Sequence, residues 1–162
     1  MREIICFHNP DEQYGFLSNW YLSDFTCDGF EYSSAEQYMM HRKALYFGDE
    51  ETAAKIMKTT DVEKIKALGR GAKGYDDTIW NGVRQVIVYN GLLEKFRQNA
   101  ELREKLLATG DAILAECAVR DTIWGIGLSM RDSDRFDMSK WRGHGLLGFS
   151  LMLVRDRLMA EK

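Results

Sequence analysis

Glu36 and Lys43 stand seven positions apart in SSAEQYMMHRKALYFG, a stretch with the marks of a helix. Ser33 to Glu36 follow the capping-box pattern, a hydroxyl at the N-cap and a glutamate three residues on. The spacing predicts a helix from about residue 34 to Phe47, stopped by Gly48. Seven residues are nearly two helical turns, so the carboxylate and the amine project from nearly one face, beside Met39, Met40 and Phe47. On a partly apolar face, desolvation raises the proton affinity of Glu36 and lowers that of Lys43. Those are the directions needed in a general acid and an amine nucleophile. A structural reading competes, with Glu36 as the capping glutamate and Lys43 reaching out to solvent. Capping boxes are common and buried reactive lysines rare, so the pair taken alone favours structure.

A second candidate is Asp121, Trp124 and Gly125 in RDTIWGIG. An indole can stack, a glycine admits close backbone approach, and a carboxylate can bind sugar hydroxyls. Equally, the tryptophan could anchor the loop while Asp121 makes a turn. Asn19 and Trp20 in GFLSNWY form another aromatic–polar group, although aromatics are by default core. Arg70, among the glycines of LGRGAKG, could clasp a phosphate or simply answer a helix dipole. The glycines of WRGHGLLG (141–148) could present backbone N–H groups to an anion, or only allow a tight approach to the last helix. There is no P-loop, GxGxxG, HExxH or GxSxG, and His8, His41 and His144 have no ligand spacing. Acid–base chemistry here must come mainly from carboxylates, lysines or tyrosines.

The elements that would hold these residues follow from patterning. Ile4 to Phe7 reads as a buried strand, and residues 24–32 as two strands turning at Asp28-Gly29. Asp49 and Asp61 look like N-caps of two short helices, the second ending at Gly69. A helical period runs from Asp77 to Gln98, interrupted at Gly91, with a further turn or two over 101–107. Residues 112–117 suit either a strand or a helix, 121–148 a long structured loop, and 147–159 a final amphipathic helix. The tetrapeptide DTIW occurs at 77–80 and at 121–124 without matching flanks, so it is no repeat.

The 162 residues suit one domain, 1–162, with an ordinary soluble composition of 45% apolar and 29% charged residues. A net charge of −3 argues against a nucleic-acid backbone binder but not against a nucleotide pocket. Cys6, Cys27 and Cys117 are too widely spaced for a disulfide framework or a zinc site. Free cysteines, no secretory run and no membrane-length apolar stretch lead us to expect a cytoplasmic protein with no membrane partner.

FLSNWY, DGFEYSSAEQYMMHRKALYFGD, LGRGAKG, Trp80, LLEKF, LLATGDAILAECAVRDTIWGIG and WRGHGLLGFSLMLVR occur here in the order that resembles the YbiA-like, or NADAR, family. The resemblance covers nearly the whole chain, and its specific parts are E-x6-K, D-x2-WG and the closing G-x3-LG. It implies an α+β fold, a single helix-dominated domain with a small N-terminal β-sheet. It also implies an N-glycosidase, without metal or organic cofactor, acting on ribosides joined through an exocyclic amine. The substrate would be small, a riboflavin-pathway ribosylamino-pyrimidine phosphate or an ADP-ribosyl compound, with ADP-ribosylated guanine in nucleic acid as a further candidate. By position Glu36 and Lys43 would be catalytic. Asp121 would join them as a second carboxylate or, with Trp124, hold the ribose, while Ser18, Asn19, Trp20 and Gly125 would line the pocket. Lys43 could attack C1 and hold the sugar as a Schiff base, with Glu36 as acid and base; alternatively, Glu36 and Asp121 could direct water at an oxocarbenium-like centre. A non-catalytic ADP-ribose or nucleotide-binding module is the alternative function. The family usually has asparagine where this chain has Gly145, which opens substrate preference and loop geometry there.

Overall fold

A computed structural model describes residues 1–161. The elements run β1 (Ile4–Phe7), β2 (Leu22–Cys27), β3 (Phe30–Ser34), α1 (Ala35–Tyr46), α2 (Glu50–Met57), α3 (Val62–Arg70), α4 (Asp77–Gln98), α5 (Ala100–Leu107), β4 (Ile113–Glu116) and α6 (Leu146–Ala160). The fold is α+β and helix-dominated, as expected. Its strands form two separate ribbons: β1 lies parallel to β4, and β2 antiparallel to β3. Residues 112–117 therefore resolve as a strand, because Ile113 to Glu116 find Ile4 to Phe7 as partners. Two compact units result, Leu22–Asn99 and Met1–Tyr21 with the chain from Ala100 onward. Among the described residues no helix is long and apolar enough to cross a membrane.

In the Leu22–Asn99 unit the β2–β3 hairpin turns at Asp28 and Gly29, with φ of 51° and 86°. Two successive positive φ values match a turn whose twist suits a hairpin, which is why Asp-Gly stands there. Helix α1 follows directly and packs against α2, α3 and α4. Helix α4 runs unbroken through Gly91. That residue is no interruption: the ring of Tyr38 occupies the space a Cβ would need. Asp49 and Asp61 cap α2 and α3 as expected, Asp49 accepting the Thr52 N–H and Asp61 those of Glu63 and Lys64. The Asp49 carboxylate also takes the Lys73 N–H at 2.8 Å, which ties the α3–α4 link to the start of α2.

In the other unit α6 lies on β4, with Leu147, Leu151, Val154 and Leu158 buried. Gly148 sits where a Cβ would strike the Leu114 carbonyl, so the helix rests directly on strand backbone. The buried guanidinium of Arg155 fastens this face by donating to Thr109 Oγ1 and to the Ala112 carbonyl, both at 2.8 Å. The expected loop over 121–148 contains two short 3-10 turns, Ser133–Phe136 and Met138–Lys140.

His41 on α1 is buried, with its Nδ1 2.7 Å from the Tyr32 hydroxyl and its ring 4.6 Å from that of Phe30. Burial, and secondarily the Arg42 charge, pushes the imidazole down to about 4, while burial raises the Tyr32 hydroxyl to about 12. The tyrosine therefore donates to a neutral ring at pH 7. Because the unfolded chain takes up the proton first, stability is complete above about pH 6.5 and falls as the pH drops toward about 4. Chemical denaturation across that window should show a loss of roughly 3 kcal/mol. His41→Gln should flatten that part of the profile.

Candidate active site

The start of α1 decides which residue does the capping. Ser34, not Ser33, is the N-cap, and its hydroxyl accepts the Gln37 N–H at 3.0 Å. Gln37 reaches back with Oε1 to the Ser33 N–H at 2.7 Å and donates through Nε2 to the carbonyls of Ile56 and Thr59. The capping box thus lies one residue later than the sequence pattern suggested, and it uses Gln37. Glu36 is excluded from that duty. It stands at the second helical position, buried, with Lys43 two turns along the same face.

Lys43 is also buried, at 9% exposure, and does not extend into solvent. Its Nζ lies 4.5 Å from the centre of the Tyr75 ring and 6.0 Å from that of Trp80. Desolvation, foremost, and the Arg70 charge lower the amine from its ordinary value, while Glu36 and Asp77 pull the other way. The residues that build this surrounding come from three elements. Gly69 leaves no room for a Cβ against the Met40 side chain, so α3 lies close on α1 and carries Arg70 into electrostatic range of Lys43. Gly74, at φ 79°, lets the link to α4 pass over the Phe47 carbonyl. Tyr75 then stacks edgewise on Phe47 at 5.4 Å and donates its hydroxyl to Asp77 Oδ1 at 2.7 Å. Glu36, Lys43 and Arg70 are therefore brought together in one unit. Sequence reasoning missed Tyr75 and Asp77, and gave Trp80 no role; the aromatic residues flanking the Asp76 cap of α4 were the available signal.

The remaining candidates lie in the other unit. Ser18 and Asn19 are buried and Trp20 half-buried just after the Gly15–Leu17 turn, and Ser18 Oγ accepts the Trp20 N–H at 3.1 Å. Asn19 Oδ1 is buried without a hydrogen-bond partner. Asp121 makes the turn: its Oδ1 accepts the N–H groups of Ile123 at 3.0 Å and Trp124 at 2.8 Å. The carbonyls of Thr122, Ile123, Trp124 and Gly125 take the N–H groups of His144, Leu146, Leu147 and Gly145, respectively. The anion-binding reading of WRGHGLLG is thereby corrected, because the first N–H groups of α6 are already bonded to this turn. A Cβ on Gly125 would strike the Asp121 carbonyl of its own turn, and one on Gly143 would strike the facing Gly125 carbonyl. Gly145 has φ 64° and ψ 32°, a left-handed conformation that glycine and asparagine share most readily. A glycine in place of the usual asparagine therefore preserves the backbone there.

These elements define a small α+β protein with a buried amine–carboxylate pair and an aspartate-closed turn. The NADAR domain family matches residues 6–159, and the chain belongs to that family. It is 44% identical over 126 residues to N-glycosidase R617 of Acanthamoeba polyphaga mimivirus, covering 78% of this chain and 74% of that protein. Over 158 residues it is 32% identical to riboflavin biosynthesis protein VVA0006 of Vibrio vulnificus, covering 98% of this chain and 39% of that longer one. Its structure superposes on the NMR structure of Escherichia coli YbiA with a TM-score of 0.81 at 29% identity, covering 99% and 87% of the two chains. Among curated relatives the E. coli protein carries the name N-glycosidase YbiA.

Asp121→Asn keeps an oxygen acceptor for the turn and removes only the charge. We expect its thermal midpoint and Trp124 fluorescence to match the parent. Asp121→Ala should lose roughly 0.5–2 kcal/mol by denaturant titration, the usual cost of deleting such a cap.

Proposed function

We propose that this N-glycosidase of the NADAR family cleaves the bond between C1 of a ribose and the exocyclic amine of a base. The observation that carries the reading is the Lys43 amine, buried against Tyr75 with its proton affinity lowered, on one helix face with buried Glu36. The names of the relatives support the bond type and favour a ribosylamino-pyrimidine phosphate as the first substrate class. ADP-ribosyl guanine, free or in nucleic acid, is the second.

A ribosylamine can open to an imine at C1, which an ordinary ring nucleoside cannot do. The neutral Lys43 Nζ adds to C1, and the base amine departs with a proton from Glu36. The C1–N bond to the base is thereby replaced by an imine to Lys43. Glu36 then deprotonates water for addition to C1, and collapse of that adduct frees the sugar and restores the lysine. The net change is one water consumed, one C–N bond broken and one C–O bond formed. Desolvation helps by enlarging the neutral fraction of the amine at physiological pH. Arg70, exposed at the end of α3, is proposed to take the substrate phosphate. Asp121 and Trp124 are proposed to bind the ribose, with Ser18, Asn19, Trp20 and Gly125 lining its pocket. The buried, unpartnered Asn19 Oδ1 supports that assignment, since a sugar hydroxyl is a donor it lacks.

The test is release of sugar from both substrate classes, followed by mass spectrometry with and without borohydride. Wild type should release sugar from one class and acquire a reduced sugar adduct on Lys43, absent from Lys43→Ala. Glu36→Gln should stay folded, since Gln37 does the capping, and lose about 10²–10⁴-fold in kcat. Release without an adduct would replace the covalent route by direct water attack with Glu36 and Asp121 as the carboxylate pair. Binding without release from either class would make the protein a ribose-binding module.

A neutral lysine nucleophile also fixes the sign of a pH limb. The single-turnover rate should rise with pH, with its midpoint below the ordinary lysine value. A rate that does not rise through that range would remove Lys43 from the chemical step.

A further inference from the structure

Away from the residues assigned to glycoside cleavage, two thiols and a guanidinium meet on one face of the β1–β4 ribbon. Cys6 pairs with Ala115 across the parallel ladder, and Cys117, two residues further, belongs to the same face. The last ladder pair is Phe7 with Glu116, but the Cys117 N–H still donates to the Phe7 carbonyl at 2.8 Å. Cys6 packs on the cluster formed by Ala115, Cys117, Ile126 and Leu128, within electrostatic range of the Cys117 thiol. Arg135 arrives from the Ser133–Phe136 turn and lies within electrostatic range of the Cys6 sulfur. Its Nη1 donates to the Asp132 carbonyl at 2.9 Å, and its guanidinium carbon lies 4.1 Å from the centre of the Phe136 ring. The Trp141 indole N–H holds the Arg135 carbonyl at 2.9 Å, and Arg135 Nε is buried without a partner.

All three cysteines are free. An S–H donor and a fixed cation beside one sulfur favour its thiolate. The Cys117 S–H foremost, and Arg135 with it, hold the Cys6 thiol below its ordinary value against the effect of burial. Cys117, the donor of the pair, is pushed up. Cys27 supplies a contrast within the same chain: burial, then the charges of Asp28 and Glu94, push its thiol up.

We propose that Cys6 and Cys117 form an oxidisable dithiol, with Cys6 as the sulfur that reacts with a peroxide and Cys117 as the thiol that resolves it. The Cys6 thiolate attacks one peroxide oxygen and the O–O bond breaks. The departing oxygen takes a proton and leaves as water or an alcohol, so the peroxide gains the two electrons the sulfur loses. Cys117 then gives up its proton and attacks the Cys6 sulfenic acid, forming the S–S bond and expelling water. A disulfide requires Cα atoms about 4.4–6.8 Å apart. Cys117 stands beyond the last ladder pair, so the segment that draws in is the short stretch between β4 and the Asp121 turn. Oxidation would thereby act on the backbone that carries Asp121 and Trp124.

The reduced protein is treated with an equivalent of hydrogen peroxide, quenched by alkylation and read by intact mass and peptide mapping. The expected result is loss of two hydrogens, mapped to a Cys6–Cys117 linked peptide, with Cys27 alkylated as in the untreated control. Cys117→Ser should instead retain a sulfenic acid on Cys6 that dimedone captures, and Arg135→Gln should slow wild-type oxidation by about tenfold. The proposal is overturned if wild-type Cys6 stays reduced, if its sulfenic acid persists without a disulfide, or if Cys27 reacts as fast. Should Cys117→Ser fail to fold, the wild-type map and the Arg135→Gln rate decide the matter alone.

Discussion

An ammonium group removed from water is the constraint around which the Leu22–Asn99 unit is built. Left without compensation, a buried charge costs several kcal/mol, and the folded state responds by shifting the group toward neutrality. Here the compensation is partial. The face of the Tyr75 ring, with Trp80 further off, offers cation–π attraction, while Glu36 and Asp77 offer opposite charge. Arg70 and desolvation act against the charged form. A lysine at the surface escapes such a balance by extending its stem and leaving its charge in water. Lys43 on α1 lacks that escape, with α2, α3 and α4 all packed against its helix.

The other unit meets a different constraint, the unsatisfied N–H groups at the start of a helix. Helix α6 begins at a left-handed glycine that offers no side-chain cap. The carbonyls of residues 122–125 take that role instead, and Asp121 keeps those carbonyls in register by holding the N–H groups of Ile123 and Trp124. One carboxylate oxygen therefore organises a turn that closes a helix. The structural and functional readings of Asp121 need not exclude each other, because that bonding occupies Oδ1 and a carboxylate has two oxygens.

Local signals carried far into the fold. The Asp-Gly hairpin, the Asp49 and Asp61 caps and the length of α1 were legible, because each depends on residues within a few positions of one another. The signals that misled were also local. Ser33-Ser34 offers two hydroxyls and Glu36-Gln37 two partners, and only the tertiary bonds of Gln37 to Ile56 and Thr59 select the second register. Gly91 looked like a weakness in α4 because nothing nearby in sequence announces the Tyr38 ring lodged against it. The short run at 112–117 could not be assigned without knowing that Ile4 to Phe7 would pair with it across more than a hundred residues. In the candidate site, Glu36, Lys43 and Arg70 were readable by type and spacing. Tyr75 and Asp77 were not, since a positive-φ glycine and a passing carbonyl bring them in.

That one-residue ambiguity at the helix start bears on the proposed chemistry. If Glu36 were the capping glutamate, its carboxylate would face back toward the N-cap backbone N–H and would have a sufficient structural reason to exist. With Gln37 in that place, a neutral amide performs the capping and also joins α1 to the α2–α3 link. A carboxylate at the adjacent position, buried at 4% exposure, then needs another account. Its position in the first turn gives part of one, because the positive end of the helix dipole favours its charge. Its coupling to an amine two turns away gives the rest, because the Glu36 charge eases the burial of Lys43. The shift of the cap by one residue thus gives the start of the helix to Gln37 and takes that task from Glu36.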